Sequence, residues 1–596
     1  THKEALPMSR TIQIHSQFGD ALLFKELHGV EGISSLYQYD LLLSSKDANL
    51  DIKSAIGSQL CVCIQTKEGE RHLQGVVTDF GYDRPDVDEQ GYHIYSCTLR
   101  PNLWHLTQTQ NSRVFVEKTV IEIATTILSE SGIEFDNKCQ NQYRIYGQST
   151  QYHESNFDYL SRLFEQEGIY YYFTQTKDKN ILVLSDQNSQ QDPIMGNSHL
   201  IYHADVFAGA PDQAYLDTWQ HKQHLNTTHV SLGDYNYQTK KSHLITDTPT
   251  HGLSAQSTER FEPYAQFKSL GEANHYKQIH KEHYQALTEE VIATGNVLTL
   301  CAGHHFTLQR HPHQKANIEY LITEVGFALK EAGYTTGDES GSYRTSLKAI
   351  PFSLQYRPKK QTPKPQVVGT QAAIITGPAG EEVYTNEYGD IKLQFHWDRY
   401  GPMNEKSSAW IRVIQASAGV NFGSINVPRI GEEVLVDFIN GDADRPVVVG
   451  RLYNVQNPPP WGYPAAAKKS GIKSKSFNSP LENFNEFMFD DTEGAELVNF
   501  QAQKDLTSLI KNDETRHIKN NRTTTVDVDE TVTVHGKRTE TVDKDETITI
   551  HQNRTETVDK DETITIHQNR KERVDLDETI SIGGNRTETV EGDEKI

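Results

Sequence analysis

Apolar and polar positions follow a constant period over the last part of the chain. Valine or isoleucine recurs at every eighth position, at Ile510, Ile518, Val526, Val534, Val542, Ile550, Val558, Ile566, Val574, Ile582 and Val590. Arginine recurs at every sixteenth position, at Arg522, Arg538, Arg554, Arg570 and Arg586. A constant period over this length indicates a repeat architecture.

Each eight-residue unit predicts one β-strand followed by a bend. In the octad 546–553, threonine alternates with isoleucine and polar residues follow, which is typical of a strand and a turn. Such a strand leaves both edges unpaired and buries too little apolar surface to offset its lost conformational entropy. One chain cannot enclose a core with units this short, since solenoid repeats use about 20 residues or more. We therefore expect 510–596 to form an intertwined trimeric β-prism (β-helix), a needle whose core is the octad residues from Ile518 to Val590.

Glutamates complicate this apolar core. They occupy every second layer, in the same strand phase as Ile548 and Ile564, at Glu540, Glu556 and Glu572. Three symmetry-related glutamates at one level would repel each other, and burying them unpaired would cost several kcal/mol. We expect compensation by the arginines two positions earlier, Arg538, Arg554 and Arg570, or hydration of the layer. The alternative is that local twist turns the glutamates to solvent.

The chain before the repeat predicts a mostly β or α+β body from Ile12 to about Tyr356, with short β-rich runs and a few helices. One helix is predicted at 120–128. A second begins after a Ser155 cap, carries apolar residues at helical spacing and ends at Gly168. A buried strand is predicted directly after it, at 169–173.

Residues 357–365 combine three prolines with three lysines and an arginine, which favours an extended linker over packed structure. Five short strands with glycine-bearing turns follow in residues 366–454, and this number suits a small closed barrel. Residues 455–509 form a bridge in which 486–491 predicts a strand and a turn.

Composition excludes several classes of protein. The chain is 36% hydrophobic and 23% charged, which is near ordinary globular usage and outside the disordered class. Its net charge of -23, with no basic stripe, argues against a nucleic-acid partner. No run of about 18 apolar residues occurs, and residues 1–17 lack the apolar region of a signal peptide. Membrane anchoring and export by the general secretory route are therefore not expected.

The five cysteines are too few and too scattered for a disulfide scaffold, so reduced thiols are predicted. Cys61 and Cys63 lie in the alternating run 60–65, where the pair shares one face of a strand. We favour that interpretation over a metal half-site.

Enzyme motifs are missing from the sequence, which has no H-E-x-x-H, G-x-S-x-G or C-x-x-C. The histidine-rich segments 303–305 and 311–313 are interpreted as turns or surface. Asp490 and Asp491, directly before Thr492, are interpreted as turn residues. The sequence thus predicts no enzyme, and neither catalytic, cofactor-binding nor metal-binding residues.

Several segments, in this order and spacing, resemble the VgrG family of trimeric spike proteins of bacterial type VI secretion systems, which is related to the hub and spike of contractile-tail phages. The segments that carry the resemblance are 99–104 and 151–173 in the body, and 386–399, 427–434 and 441–446 in the barrel. The resemblance covers essentially the whole length.

The resemblance implies a mainly β, multidomain fold. Two hub β-barrel domains with a few helices are expected at 10–175 and 176–356, then the linker 357–365, an OB-fold collar at 366–454, the bridge 455–509 and the needle 510–596. It implies a homotrimer that caps the Hcp tube, carries a PAAR-type tip protein and secreted effectors, and punctures the target-cell envelope with transient membrane contact. Assembly is expected in the bacterial cytoplasm, followed by secretion through the type VI apparatus.

Two alternatives stay open at this point. An OB-fold can bind oligonucleotides or sugars, although Phe395, Trp397 and Trp410 lie beside apolar residues in strand patterns and are expected in the core or at trimer contacts. A trimeric adhesin or tail fibre that binds cell-surface glycans would share the octad rod, but not the order of hub and collar.

Overall fold

The computed structural model describes residues 11–87, 89–204, 211–239, 241–246, 256–333 and 341–595. They divide into two compact units, one ending at Leu506 and one beginning at Thr507. The first unit contains the hub, the barrel and a three-stranded sheet. The second contains the octads.

The hub is mostly β, as predicted. Its strands are β1 (Ile12–His15), β2 (Leu23–Gly32), β3 (Gln38–Ser45), β4 (Gln59–Thr66), β5 (Gly69–Pro85), β6 (His93–Arg100), β7 (Asn111–Lys118), β8 (Phe135–Asn137), β9 (Tyr146–Glu154), β10 (Tyr170–Gln175), β11 (Asn180–Ser185), β12 (His199–Tyr202), β13 (Tyr215–Gln223), β14 (His229–Asn236), β15 (Lys241–Thr246), β16 (Glu259–Glu262), β17 (Glu289–Gly295), β18 (His305–Gln309), β19 (Glu319–Lys330) and β20 (Ser342–Pro351). Its helices are α1 (Ile52–Ala55), α2 (Val120–Glu130), α3 (Asn156–Glu167) and α4 (Leu270–Ala286).

Twelve of these strands form one sheet, in the order β1-β4-β5-β6-β3-β2-β19-β18-β12-β13-β17-β20. Because β20 also pairs with β19, the last six strands close into a ring. The first six extend from β19 through β2. Both predicted hub parts thus contribute to one sheet and one large core, and the boundary between residues 175 and 176 stays a prediction.

The two predicted helices are confirmed. In α3, the Ser155 hydroxyl accepts the Asp158 amide over 2.9 Å, and Gly168 ends the helix at φ 72°. In α2, Thr119 and Glu122 form a reciprocal capping box. The strand predicted after Gly168 is β10, whose Tyr170 is fully buried.

The linker prediction for residues 357–365 is half right. The segment contains no helix or strand, but it is packed. The buried Arg357 donates to the carbonyls of Gly168 and Asp186 over 2.9 and 2.7 Å. The amides of Gln361 and Thr362 each donate to the Glu165 carboxylate over 3.0 Å. The expectation of an unpacked linker was wrong because the extended backbone of the segment donates its amides to the Glu165 carboxylate of α3.

The barrel is confirmed as a closed five-stranded sheet. Its strands, in the order β22-β21-β26-β27-β23, are β21 (Gln371–Thr376), β22 (Lys392–Phe395), β23 (Arg412–Val413), β26 (Glu433–Phe438) and β27 (Pro446–Leu452). Ile391 and Ile411, which precede the two edge strands, exchange backbone hydrogen bonds of 2.9 and 2.8 Å. A hairpin of β24 (Ser417–Gly419) and β25 (Phe422–Ser424) projects from the barrel with Phe422 exposed.

The bridge contains the predicted strand as β29 (Glu486–Asp490), paired with β28 (Lys469–Lys473) and β30 (Leu497–Gln501). In the second unit, bends recur every eight residues from 511–512 to 591–592, as the octad pattern predicts. Within residues 507–595 of one chain, the segments between the bends form no strand ladder with each other. The strands predicted for each octad, and their pairing with other chains, therefore stay predictions.

Candidate functional site: the octad face and the hub–barrel junction

The octad residues present a repeating apolar face. From Ile510 to Val590, every residue of the series keeps 46–53% of its surface exposed. This narrow range means that each octad places its valine or isoleucine in the same environment. A folded protein rarely leaves so many large apolar side chains uncovered in a row. The face therefore has the character of an assembly surface.

Four of the five repeat arginines pair with the glutamate two residues later. The distances between guanidinium and carboxylate are 2.7 Å for Arg538 and Glu540, 3.0 Å for Arg554 and Glu556, 3.0 Å for Arg570 and Glu572, and 2.9 Å for Arg586 and Glu588. The arginines thus lie where the predicted compensation needs them, but compensation of an inward glutamate layer in a trimer stays a prediction. The pairs are largely exposed within a single chain, so each contributes little to the stability of that chain. Their inward orientation in a trimer stays a prediction.

The barrel docks on the hub through the turn 441–446. Asp444 accepts the Thr150 amide of β9 over 2.6 Å and the Lys364 ammonium over 2.6 Å. Next to it, Arg445 pairs with Asp234 of the hub at 2.6 Å. One short turn of the barrel therefore binds both the hub and the linker.

The charged groups of this junction are largely shielded from solvent. Burial by itself would raise the pKa of Asp444, but the charges of Lys364 and Arg162 hold it below its ordinary value. Arg162 of α3 also donates to the Thr150 carbonyl over 2.8 Å and to Glu154 over 2.7 Å. Helix α3, which lies in segment 151–173, and strand β9, which begins before it at Tyr146, thus position the surface that receives the barrel. Composition and periodicity did not reveal this role of Asp444.

Aromatic residues of the barrel face its core and the hub. Phe395 is 2% exposed and stacks on Trp397, with ring centroids 4.8 Å apart. Trp397 donates to Gln371 over 2.6 Å, and Gln371 donates to the Tyr152 hydroxyl of the hub over 2.6 Å. The expectation that Phe395 belongs to the core is confirmed. Trp397 is engaged by the hub, so it does not line an open nucleotide groove.

Cys61 and Cys63 share one face of β4, as predicted, with their sulfurs 3.5 Å apart. His72 on the neighbouring strand β5 lies opposite Cys63, and its Nδ1 is 3.2 Å from the Cys63 sulfur and 3.8 Å from the Cys61 sulfur. The hydrogen bond between the thiols raises the pKa of Cys61 and lowers that of Cys63 to about 6. The sequence did not point to His72, because strand register brings it to the cysteines.

The histidines of segments 303–305 and 311–313, and Asp490, contact neighbouring residues in turns and strands. Gly303 adopts φ 81° in a turn, and His305 pairs with Glu319 at 2.7 Å. The His311 ring accepts the His313 amide over 3.1 Å. Asp490 accepts the Thr492 amide over 3.1 Å, which confirms the predicted turn. In the described part of the chain, no helix combines the length and hydropathy needed to cross a bilayer.

Three family models match the chain. The phage tail baseplate hub model covers residues 30–333, and the type VI secretion system and phage-baseplate injector OB-domain model covers residues 387–453. The model of the bacteriophage T4 gp5 C-terminal trimerisation domain covers residues 470–582 and 545–596.

Curated relatives match most of the chain. The type VI secretion system spike protein VgrG1b of Pseudomonas aeruginosa is 36% identical over 87% of this chain and 70% of its own length. VgrG1a of the same organism is 33% identical over 85% of this chain and 80% of its own length. The actin cross-linking toxin VgrG1 of Vibrio cholerae is 30% identical over 87% of this chain, but that match spans 48% of the toxin.

Solved structures share the fold. An Escherichia coli type VI secretion component, described as similar to the T4 tail proteins gp27 and gp5, superposes with a TM-score of 0.53 at 18% identity, over 74% of this chain and 100% of that one. A Francisella PdpA–VgrG complex gives a TM-score of 0.51 at 12% identity, over 82% of this chain and 80% of that one.

Proposed function

This chain belongs to the VgrG family of type VI secretion system spike proteins, and from that premise we propose that it is the homotrimeric spike that caps the Hcp tube and punctures the target envelope. The observation that carries the proposal is the uniform, half-exposed octad face. The role of the chain is then mechanical: it carries effectors and does not catalyse a reaction. It assembles in the cytoplasm and leaves through the secretion apparatus.

The octad face supplies the trimer core, from Ile518 to Val590. Covering the remaining half of each valine or isoleucine contributes roughly 1 kcal/mol, and this gain repeats at every level in three chains. Each chain also gains the ladder hydrogen bonds that its own segments do not make with each other. The three chains therefore fold the needle together, and bending the needle would break many inter-chain bonds at once.

The hub–barrel junction supplies the link through which a push on the hub reaches the barrel. Asp444 joins β9 and Lys364, and Arg445 joins Asp234, so three carboxylate contacts oppose sliding of one part on the other. The packed segment 357–365 adds hydrogen bonds to α3 rather than acting as a flexible tether. This arrangement suits a part that is driven forward by a contracting sheath.

The partners follow from the same role. The hub would bind the end of the Hcp tube, the needle end would bind a PAAR-type tip protein, and effectors would bind to the spike. A Francisella relative was solved in complex with PdpA, which supports the expectation that spikes of this kind bind further proteins. Co-purification of the native spike from secreting bacteria, followed by mass spectrometry, would identify these partners.

Secretion by the native bacterium tests the function. Val542→Asp with Val558→Asp should abolish Hcp release and leakage of target cells, because three carboxylates would meet at two core levels. Thr541→Asp with Thr557→Asp adds the same charges one position earlier, where alternation points the side chains the other way, and should keep both activities. Hcp release and leakage at wild-type levels with the valine variant would contradict the proposal.

A glycan-binding adhesin or tail fibre is the second candidate, and the hub, OB-domain and type VI relatives do not favour it. If the chain were such an adhesin, the purified trimer would bind to cells, and free sugar would inhibit this binding. The spike proposal predicts no such competition.

A further inference from the structure

Three adjacent strands of the hub bring sulfur and imidazole donors to one face. Strand β4 carries Cys61 and Cys63 between β1 and β5, and His72 of β5 lies directly opposite Cys63. His15 of β1 lies directly opposite Cys61 on the other side. Residues directly opposite each other in an antiparallel ladder project to the same face. The apolar neighbours Leu60, Val62 and Ile64 belong to the core on the opposite face.

The spacing of the donor atoms matches a tetrahedral metal site. Zinc lies about 2.3 Å from thiolate sulfur and about 2.0–2.1 Å from imidazole nitrogen, so tetrahedral angles place two sulfurs about 3.8 Å apart and sulfur and nitrogen about 3.6 Å apart. The separations here are 3.5 Å between the sulfurs, and 3.2 and 3.8 Å from them to His72 Nδ1. Three corners of a tetrahedron are thus already formed.

We propose that Cys61, Cys63 and His72 bind a zinc(II) ion, with His15 or a water molecule as the fourth ligand. Two thiolates neutralise the charge of the ion, so the buried site carries no net charge. Zinc binds both sulfurs as thiolates, so binding releases to the solvent the protons that the two thiols still hold.

The surroundings supply the other features of such a site. A metal-bound histidine is commonly oriented by a carboxylate on its far nitrogen, and here the nearest carboxylate, Glu70, lies 3.7 Å from His72 Nε2, beyond hydrogen-bond distance but within reach of a small side-chain movement. Both cysteines are almost fully buried, whereas the side chain of His72 keeps 16% of its surface exposed. The ion can therefore enter beside the imidazole. Once bound, it would clamp β5 to β4 and, through His15, β1 to both.

Metal analysis of the full-length, reduced protein tests the proposal. Protein purified without chelator should contain about one zinc per chain. Cobalt(II) added to chelator-treated protein should produce the strong near-ultraviolet absorption of a cobalt–thiolate bond. Zinc below about a tenth of an ion per chain, together with no cobalt–thiolate absorption, would overturn the proposal and leave a hydrogen-bonded thiol–imidazole cluster.

Variants locate the ligands. Cys63→Ser and His72→Gln should each lower the zinc content at least about tenfold, and Glu70→Gln should weaken zinc binding about tenfold, in line with other second-layer carboxylates. Cys139→Ser removes a thiol elsewhere in the hub and should leave the zinc content unchanged. Cobalt titration of the unmodified chain decides the matter even if a variant fails to fold. Equal loss of zinc in Cys139→Ser would place the metal elsewhere and overturn the assignment.

Discussion

The backbone amide of Thr150 in the hub donates a 2.6 Å hydrogen bond to the Asp444 carboxylate of the barrel. Lys364 contacts the same carboxylate, and the charge of Arg162 acts on it from α3. A single, partly buried acid therefore joins strand, helix, linker and barrel. Its bond to Thr150 is one of several short contacts between the hub and the barrel, beside Arg445–Asp234 and Gln371–Tyr152.

Replacing this acid should weaken the junction. Asp444→Ala leaves the Thr150 amide without its acceptor and removes one of the two carboxylates that contact Lys364. A shielded donor left without an acceptor costs about 1–3 kcal/mol. Chemical denaturation followed by tryptophan fluorescence measures the loss. Asp437→Asn, on an exposed position of the barrel strand β26, is the matched control and should stay within about 0.5 kcal/mol of wild type. Equal stability of the two variants would contradict the role given to Asp444.

The same group makes the junction sensitive to acid. Its folded-state pKa lies below the ordinary value of 3.8, so its stabilising contribution is fully present above that value and is lost as the pH falls through the folded pKa. The stability difference between wild type and Asp444→Asn should therefore narrow below pH 3.8 and stay constant at neutral pH. Denaturant titrations at a series of pH values measure it. If the stability difference between wild type and Asp444→Asn grows on acidification, the pKa of Asp444 is raised by folding and not lowered.

The arginine–glutamate pairs should matter once three chains meet. Arg538→Gln, Arg554→Gln and Arg570→Gln together should lower trimer stability by about 1 kcal/mol or more per layer, because the glutamates lose their compensation. Glu540→Gln, Glu556→Gln and Glu572→Gln added to that variant should restore stability. Lys544→Gln, Lys560→Gln and Lys571→Gln remove the same charge elsewhere in the repeat. If the lysine variant loses as much trimer stability as the arginine variant, the change in net charge, and not the loss of arginine–glutamate pairs, explains the loss.

Gly168 should be intolerant of a side chain for two separable reasons. A Cβ at this position would lie 3.0 Å from Cγ1 of Ile279, in a backbone with φ 72°. Gly132 has a similar φ of 65° and nothing within 4 Å of its Cβ position. Both alanine variants should lose about 1 kcal/mol for the left-handed backbone, and Gly168→Ala should lose about 1–3 kcal/mol more for the contact. Thermal unfolding measures both, and equal losses would exclude the contact with Ile279.

Local signals predicted most of the regular structure. The Ser155 cap and Gly168 marked the ends of α3, and the alternation at 60–65 marked β4 with both cysteines on one face. The period of eight predicted the bends and the arginine–glutamate pairs, because these depend on neighbours along one strand. Five strands in the barrel region predicted a closed barrel, and the bonds between Ile391 and Ile411 close it.

Long-range contacts were beyond the reach of the sequence. The proline-rich segment 357–365 was expected to be unpacked because composition does not reveal that Glu165, far away in the chain, accepts its amides. The register of β4 and β5 places His72 beside the two cysteines. Asp444 binds the amide of Thr150, which lies 294 residues earlier in the chain. The shared sheet of the two hub parts likewise depends on pairing between β2 and β19.

The proposed spike function requires the octad face to form the core of a homotrimer. Multi-angle light scattering at micromolar concentration should give a trimer for the unmodified chain, and loss or marked weakening of the trimer for Ile550→Asp with Ile566→Asp. Thr549→Asp with Thr565→Asp, which places the same charges on the opposite face of the same strands, should remain a trimer. A monodisperse monomer for the unmodified chain, or an isoleucine variant as stable a trimer as wild type, would contradict the account.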